Sequence, residues 1–351
     1  MTQPKEDGCV PGPVETGHAP SLPGDRSCVT WNPGEPYPPC DPRLPAAEPA
    51  LWSSHAPDAH LVARAGGGVA ARCSLWWTQV PPLPGERLGV LGHFATVDAG
   101  ATRDLLAAAC AELAQRGCTR VVGPMDGNTW RRYRFVTERA TEPPFLLEPD
   151  NPDDWPRQFE AAGFAPLAQY FSTLATDLAR CEERVQRAAE RLGAAGVTWR
   201  PLAMHAYEAE LLRIHDVSVE SFRGNYLYTP LPAAAFIGQY LQVRAYVDPE
   251  LVLLAEHAGR PVGYVFGVAD VLAARRGQAV DTVIVKTVAV RAGRIYGGLG
   301  NVLVQELHRR AHASGFRRAI HALMHEANNS RNLSGHYAQT MRRYTLYSRP
   351  P

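Results

Sequence analysis

Three glycines, Gly297, Gly298 and Gly300, fall within four residues immediately before an amphipathic helix. Only glycine turns this tightly while leaving its N–H groups uncovered. The preceding run Val283–Val290 is apolar and largely β-branched apart from Lys286, the composition of a buried strand. The following helix starts near Asn301, with Leu303, Val304, Leu307 and Ala311 at helical spacing. Uncovered N–H groups and the positive end of a helix dipole therefore converge on one place. That is an anion site, suited to a pyrophosphate. Taken alone, an ordinary tight turn would also account for the glycines.

The residues that follow narrow the choice. A second strand ends in HALMH, the Asn-rich EANNS leads into another helix, and the chain closes on the aromatic strand RRYTLY. In this order the segment resembles the GNAT acyltransferase superfamily, which binds acetyl-CoA. There a Q/R-x-x-G-x-G/A turn holds the CoA pyrophosphate. Gly298 and Gly300 match G-x-G, while Ile295 stands where the family has Gln or a basic residue and Arg294 lies one residue earlier. The register Arg294–Gly297 places Leu299 where a small residue belongs.

The resemblance implies that Arg294, Gly297, Gly298, Leu299, Gly300 and Asn301 hold the pyrophosphate of acetyl-CoA or another acyl-CoA. It implies that main-chain groups of Val288, Ala289 and Val290 hold the pantetheine and the thioester oxygen, an oxyanion-type contribution. Asn329, or its neighbour Asn328, would cap the next helix and touch the pantetheine arm; capping alone would explain an Asn there. Tyr337 stands where the family commonly carries the acid that protonates the leaving thiolate, although a packing aromatic fits the same place. Tyr344 and Tyr347 read as strand packing. Many members carry a Glu in the strand before the turn, and VIVKT offers none. Asp281, Glu256, His321, His325 and Glu326 are base candidates of equal standing, beside a water chain. Lys286 is either a cation for an acidic acceptor or a snorkelling strand lysine. No metal ligand set is evident.

The elements that must position these groups repeat along the chain. HFATVD sits against KTVAVR, and LLAAACAELAQRGCTRVVGPM against LVQELHRRAHASGFRRAIHALM. Leu105 aligns with Leu303 and Gly117 with Gly315. FEAAGF at 159–164 also resembles a helix-end pattern of the superfamily. The expected fold is α/β with mixed sheets: two tandem GNAT-like domains, each a mostly antiparallel sheet flanked by helices. Residues 1–55 read as a Pro/Gly-rich irregular arm, pinned by Trp31, Tyr37, Leu51 and Trp52. Residues 56–176 form a first, degenerate copy, 177–196 a linker helix, and 197–351 the acyl-CoA-binding copy. In the first copy AGAT replaces the glycine turn and Asp104 brings negative charge, which would repel a pyrophosphate. In the second, helices over 207–222 and 233–246 would shape the acceptor pocket.

Composition excludes other classes. With 36 basic and 35 acidic residues, the net charge of +1 gives no field favouring nucleic acid or an anionic membrane. No apolar run reaches bilayer length. No basic-then-apolar signal pattern opens the chain, and seven cysteines without a C-x-x-C pair suit a reduced, cytoplasmic setting. The expected function is acyl-CoA-dependent N-acyl transfer to a small-molecule amine. The competing expectation is a non-catalytic acyl-CoA-binding or partner-binding protein on the same scaffold. A third keeps the fold and changes the reaction, to O-acyl transfer or acyl-CoA decarboxylation. Acceptor, acyl group and oligomeric state have no sequence signal.

Overall fold

The computed structural model describes residues 27–327 and 338–351. Its first half runs β1 (Ser27–Thr30), α1 (Pro49–Ser54), β2 (Ala59–Ala65), β3 (Gly68–Trp76), β4 (Leu88–Thr96), α2 (Ala99–Gln115), β5 (Arg120–Gly123), β6 (Phe135–Arg139), α3 (Asp154–Ala161) and β7 (Ala165–Ala175). Then follow α4 (Glu183–Ala194), β8 (Val197–Pro201), α5 (Tyr207–Ser221), α6 (Ala233–Gln242), β9 (Val252–His257), β10 (Arg260–Ala269) and α7 (Leu272–Arg275). The chain ends with β11 (Thr282–Val290), α8 (Leu299–Ala313), β12 (Arg318–His325) and β13 (Gln339–Arg349).

All thirteen strands join one sheet, in the order β1-β2-β3-β4-β5-β13-β7-β12-β11-β10-β9-β8, with β6 on β13. Read inward from either end, the order repeats. Antiparallel strands lead to a parallel pair, β4 with β5 and β11 with β12, and a helix bridges each pair. The repeat is legible in the helices themselves. Leu105 and Leu303 are both fully buried, and Gly117 and Gly315 both follow the helix end at positive φ. The two strands at the centre are exchanged. β7 leaves the first half and pairs with β12 of the second, while β13 closes the second half and pairs with β5 of the first. Residues 56–176 and 197–351 therefore interlock in one sheet.

A buried network holds this seam. Glu148 accepts from Arg342 Nε at 3.1 Å and from Tyr344 Oη at 2.6 Å, and Tyr344 meets Ser172 Oγ at 3.0 Å. Glu148 and Arg342 are each about 1% exposed, so loss of either leaves an uncompensated buried charge, at about 3–5 kcal/mol. Tyr344 and Tyr347 are buried strand aromatics, consistent with packing.

Two segments depart from the sequence reading. The arm is irregular over residues 31–48 but not throughout: α1 forms within it, and β1 adds an edge strand to β2, from Ser27↔Arg64 to Thr30↔Leu61. Trp31 and Trp52 are buried, whereas Leu51 stays exposed. A segment without alternation can still borrow backbone hydrogen bonds from an open edge, and its indoles supply the burial. The linker helix begins at Glu183 rather than 177, and it is not a free connector. Val185, Ala188, Ala189 and Leu192 recur on one face and join the apolar cluster of Leu299, Leu303 and Leu307. Among the described residues, no helix is long and apolar enough to cross a membrane.

Candidate active site

The parallel pair β11 and β12 stays in register only from Thr282↔Arg318 to Val285↔His321. Beyond that point β12 follows β7, through Met324↔Phe171 and His325↔Tyr170. β11 instead follows β10 as far as Val290↔Gly263. The strands splay, and among the described residues no strand neighbours the inner edge of residues 286–290.

A bulge sits at the mouth of the splay. Thr287 opposes Phe266 and Val285 opposes Gly267, which leaves Lys286 as the extra residue. The core records the shift. Val283 and Val285 pack with α8, then Val288 and Val290 do so, while Ile284 and Ala289 face the α5 side. Strict alternation would have put Val288 and Ala289 on the opposite faces. The bulge re-aims Lys286 and Thr287, and both line a cavity of about 770 Å³. β12 residues from His321 to His325 form its other wall, and Tyr240 of α6 and the aromatics Tyr226 and Tyr228 extend it. α6 thus lines this cavity, joined by Phe222, the residue that follows α5.

At the far end of β11 lies the glycine turn. Gly298 is the N-cap of α8 at φ 86°, a left-handed conformation that favours glycine, and no side chain caps the helix. The N–H groups of its first turn have no intrahelical partner. Leu299 is buried in the core, so its side chain packs inward between Gly298 and Gly300. Gly297 and Arg294 are exposed, and Asn301 is half-buried in the first turn of α8. One side of the turn is backed by α4, where Arg191 donates to the Gly297 carbonyl. Tyr296 Oη meets His257 Nδ1 at 3.2 Å and ties the turn to the β9 hairpin. Asn328, Asn329 and Tyr337 lie outside the described residues.

The base candidates separate once their partners are known. Glu256 accepts from Arg200 at 3.0 Å and Arg213 at 2.8 Å, and Glu326 pairs with Arg343 at 2.8 Å. Asp281 accepts from Thr282 Oγ1 at 2.8 Å, and its carbonyl accepts from Arg317 N at 2.7 Å. His325 Nδ1 accepts the Ala327 N–H at 3.0 Å. His321 meets His308 at 3.0 Å, and burial, then the neighbouring imidazole, holds it well below its ordinary pKa. Lys286 differs, for no hydrogen bond or ion pair engages it among the described residues. Burial, then the charge of Arg134, lowers its ammonium to about 8. A lysine at this value is about one-tenth neutral at pH 7, and that neutral form can take a proton.

Arg134 had no part in the sequence reading. Its guanidinium lies 4.0 Å from the Tyr133 ring and 4.0 Å from the Tyr170 ring, on the cavity wall. The interleaved RRYRF at 131–135 was the available signal. Its significance depends on Tyr170, which reaches it from β7.

No family model matches the chain. A curated relative, the bacterial ceramide synthase of Caulobacter vibrioides (strain NA1000 / CB15N), is 27% identical over 214 residues, covering 60% of this chain and 56% of the relative. The chain thus spans little more than half of that protein. Among solved structures, a GCN5-related glucosamine N-acetyltransferase region of a fungal multi-domain GH3 beta-N-acetylglucosaminidase superposes with a TM-score of 0.56 at 12% identity, over 93% of this chain and 38% of that one. The chain has the GNAT fold. A tandem GNAT protein from the clavulanic acid biosynthesis pathway also aligns, with a TM-score of 0.48 at 13% identity over 93% of this chain and 98% of that one. In GNAT terms the second half presents an open splay ending at an uncapped, glycine-led helix.

Proposed function

We propose that the protein is an acyl-CoA-dependent N-acyltransferase whose second half binds the donor. The observation that carries this reading is the continuity of three features: an uncapped helix N-terminus, an unpaired strand edge and a large cavity at its end. The first-turn N–H groups at 299–301, with Arg294, receive the pyrophosphate. The main chain of Val288, Ala289 and Val290 holds the pantetheine and polarises the thioester carbonyl. The amine attacks that carbonyl, the new C–N bond forms, and the C–S bond breaks. Lys286 accepts the proton lost by the amine, and the thiolate leaves with a proton supplied by an acid, for which Tyr337 is the candidate.

The apolar cavity lining, including Leu146, Phe222, Val243 and Val268, suits a hydrophobic acyl chain or acceptor. The relative named for ceramide, an amide-linked lipid, supports the same direction. Calorimetric titration with acetyl-CoA and with a longer acyl-CoA tests donor binding. Both should bind, the longer more tightly, and no heat from either with folded protein would refute the proposal.

A further inference from the structure

We propose that Arg134 receives an oxyanion, a carboxylate or a phosphate, on the amine acceptor, so that the acceptor is an amine that also carries negative charge. This rests on the N-acyltransferase reading and adds a substrate class to it. Arg134 is about 5% exposed, yet its Nε and Nη1 have no hydrogen-bond partner among the described residues. Buried donors are almost always paired. The Tyr133 and Tyr170 rings attract the cation through their faces but accept none of these N–H groups in a conventional hydrogen bond.

The carboxylates that could have served are engaged elsewhere. Glu148, on the same cavity wall, is bonded to Arg342 and Tyr344. Asp126 accepts from the His93 N–H at 2.6 Å. Arg134 shares the cavity instead with Lys286 and His325, whose pKa values are lowered by burial first and by the charge of Arg134 second, so neither supplies it a counter-charge.

The backbone agrees. Arg134 holds φ 69°, a left-handed conformation uncommon for a non-glycine residue, anchored by its N–H on the Pro124 carbonyl at 2.8 Å. The Tyr228 hydroxyl, also buried, without a partner among the described residues and on this cavity, offers a neutral donor. A planar guanidinium is the side chain best matched to a carboxylate or phosphate. A buried cation between two rings, with no counter-charge among the described residues, is arranged to receive one.

The test titrates the full-length protein with two matched pairs: leucine against 3-methylbutylamine, and phosphoethanolamine against ethanolamine. In at least one pair the anionic member should bind roughly tenfold or more tightly than its neutral partner. In Arg134→Met that gap should fall below about threefold, with CoA titration unchanged. A gap in the leucine pair alone assigns a carboxylate, and a gap in the other alone assigns a phosphate. Equal binding within both wild-type pairs overturns the proposal, as does a gap that survives in Arg134→Met. If Arg134→Met does not fold, Arg134→Lys replaces it: the gap should shrink because the fork is lost, and a gap of full size overturns the proposal. Separate titrations distinguish the two readings. Failure of acyl-CoA to bind refutes donor binding, whereas failure of the matched pairs refutes only the anionic acceptor.

Discussion

The two halves share an order of elements and differ where the last antiparallel strand of each gives way to its bridging helix. In the second half, the strand edge beyond Val285 is open and Gly298 leaves the helix uncapped. In the first half both features are closed by the chain itself. The Met125 N–H bonds the Leu91 carbonyl at 2.8 Å, Asp126 takes the His93 N–H, and a Cβ on Gly92 would collide with the Met125 backbone. Asp98 caps α2 by accepting from Ala101 N at 2.7 Å, so a carboxylate already sits where an anion would be bound. One scaffold thus leaves a strand edge bare in one half and packs it in the other, where the chain returns to cover it.

The largest expected effect is at Lys286. Lys286→Met should lower the rate of CoA release in the presence of an accepted amine by about 10²–10⁴-fold. In the wild type the neutral, proton-accepting form grows as pH rises through about 8, so the rate should rise over that window. Stopped-time thiol detection from pH 6.5 to 9.5 would show that limb vanish in the variant; an intact limb removes Lys286 as the base. Next, Gly298→Glu and Gly300→Glu should weaken CoA binding by at least about 100-fold, through charge at the helix start and, at Gly298, a strained φ and a Cβ only 3.1 Å from Ala188 Cβ. Asp98→Ala, at the matching place in the first half, should leave CoA affinity unchanged.

Met125→Ala should destabilise the protein by about 2–5 kcal/mol, because this fully buried side chain packs in the cluster of Trp76, Val90 and Val122. Urea unfolding measures it, and CoA binding by the folded variant should be retained. A smaller effect is acid sensitivity. His55, His60 and His93 form a hydrogen-bonded chain through Ser74, and burial, their first cause, lowers them to about 4, 3 and 2. Their folded pKa values lie below the unfolded value of about 6.5. The unfolded chain therefore binds protons first, and stability present above about 6.5 is lost progressively as pH falls towards the folded values. Thermal melts from pH 7.5 to 4.5 should show this loss. His93→Gln should flatten it, by on the order of 2 °C. Smallest is the lost Asp98 cap, about 1 kcal/mol in Asp98→Ala.

Local features were legible because local rules create them. The glycine turn, the spacing of Leu303 to Ala311 and the match between Leu105 and Leu303 all survive in the folded chain. β1 was missed because its residues do not alternate; it exists only because β2 offers an edge. Strand exchange was equally silent, since pairing partners are chosen across the whole chain and not within a window of residues. Val288 and Ala289 were assigned through their main chain, and their side-chain faces could not be read without the bulge at Lys286.

Sequence alone determined the repeated strand–helix–strand units, the glycine turn at Gly297–Gly300 and the missing carboxylate in VIVKT. Tertiary structure decided which of the two repeats stays open and which residues face the opening. Lys286 is re-aimed by a bulge set against β10, and Arg134 from the first half meets Tyr170, whose strand borders the second. Backbone conformation follows from neighbours along the chain, so sequence reveals it. The charge and emptiness of a cavity follow from groups far apart in sequence that share a space only once the sheet has closed.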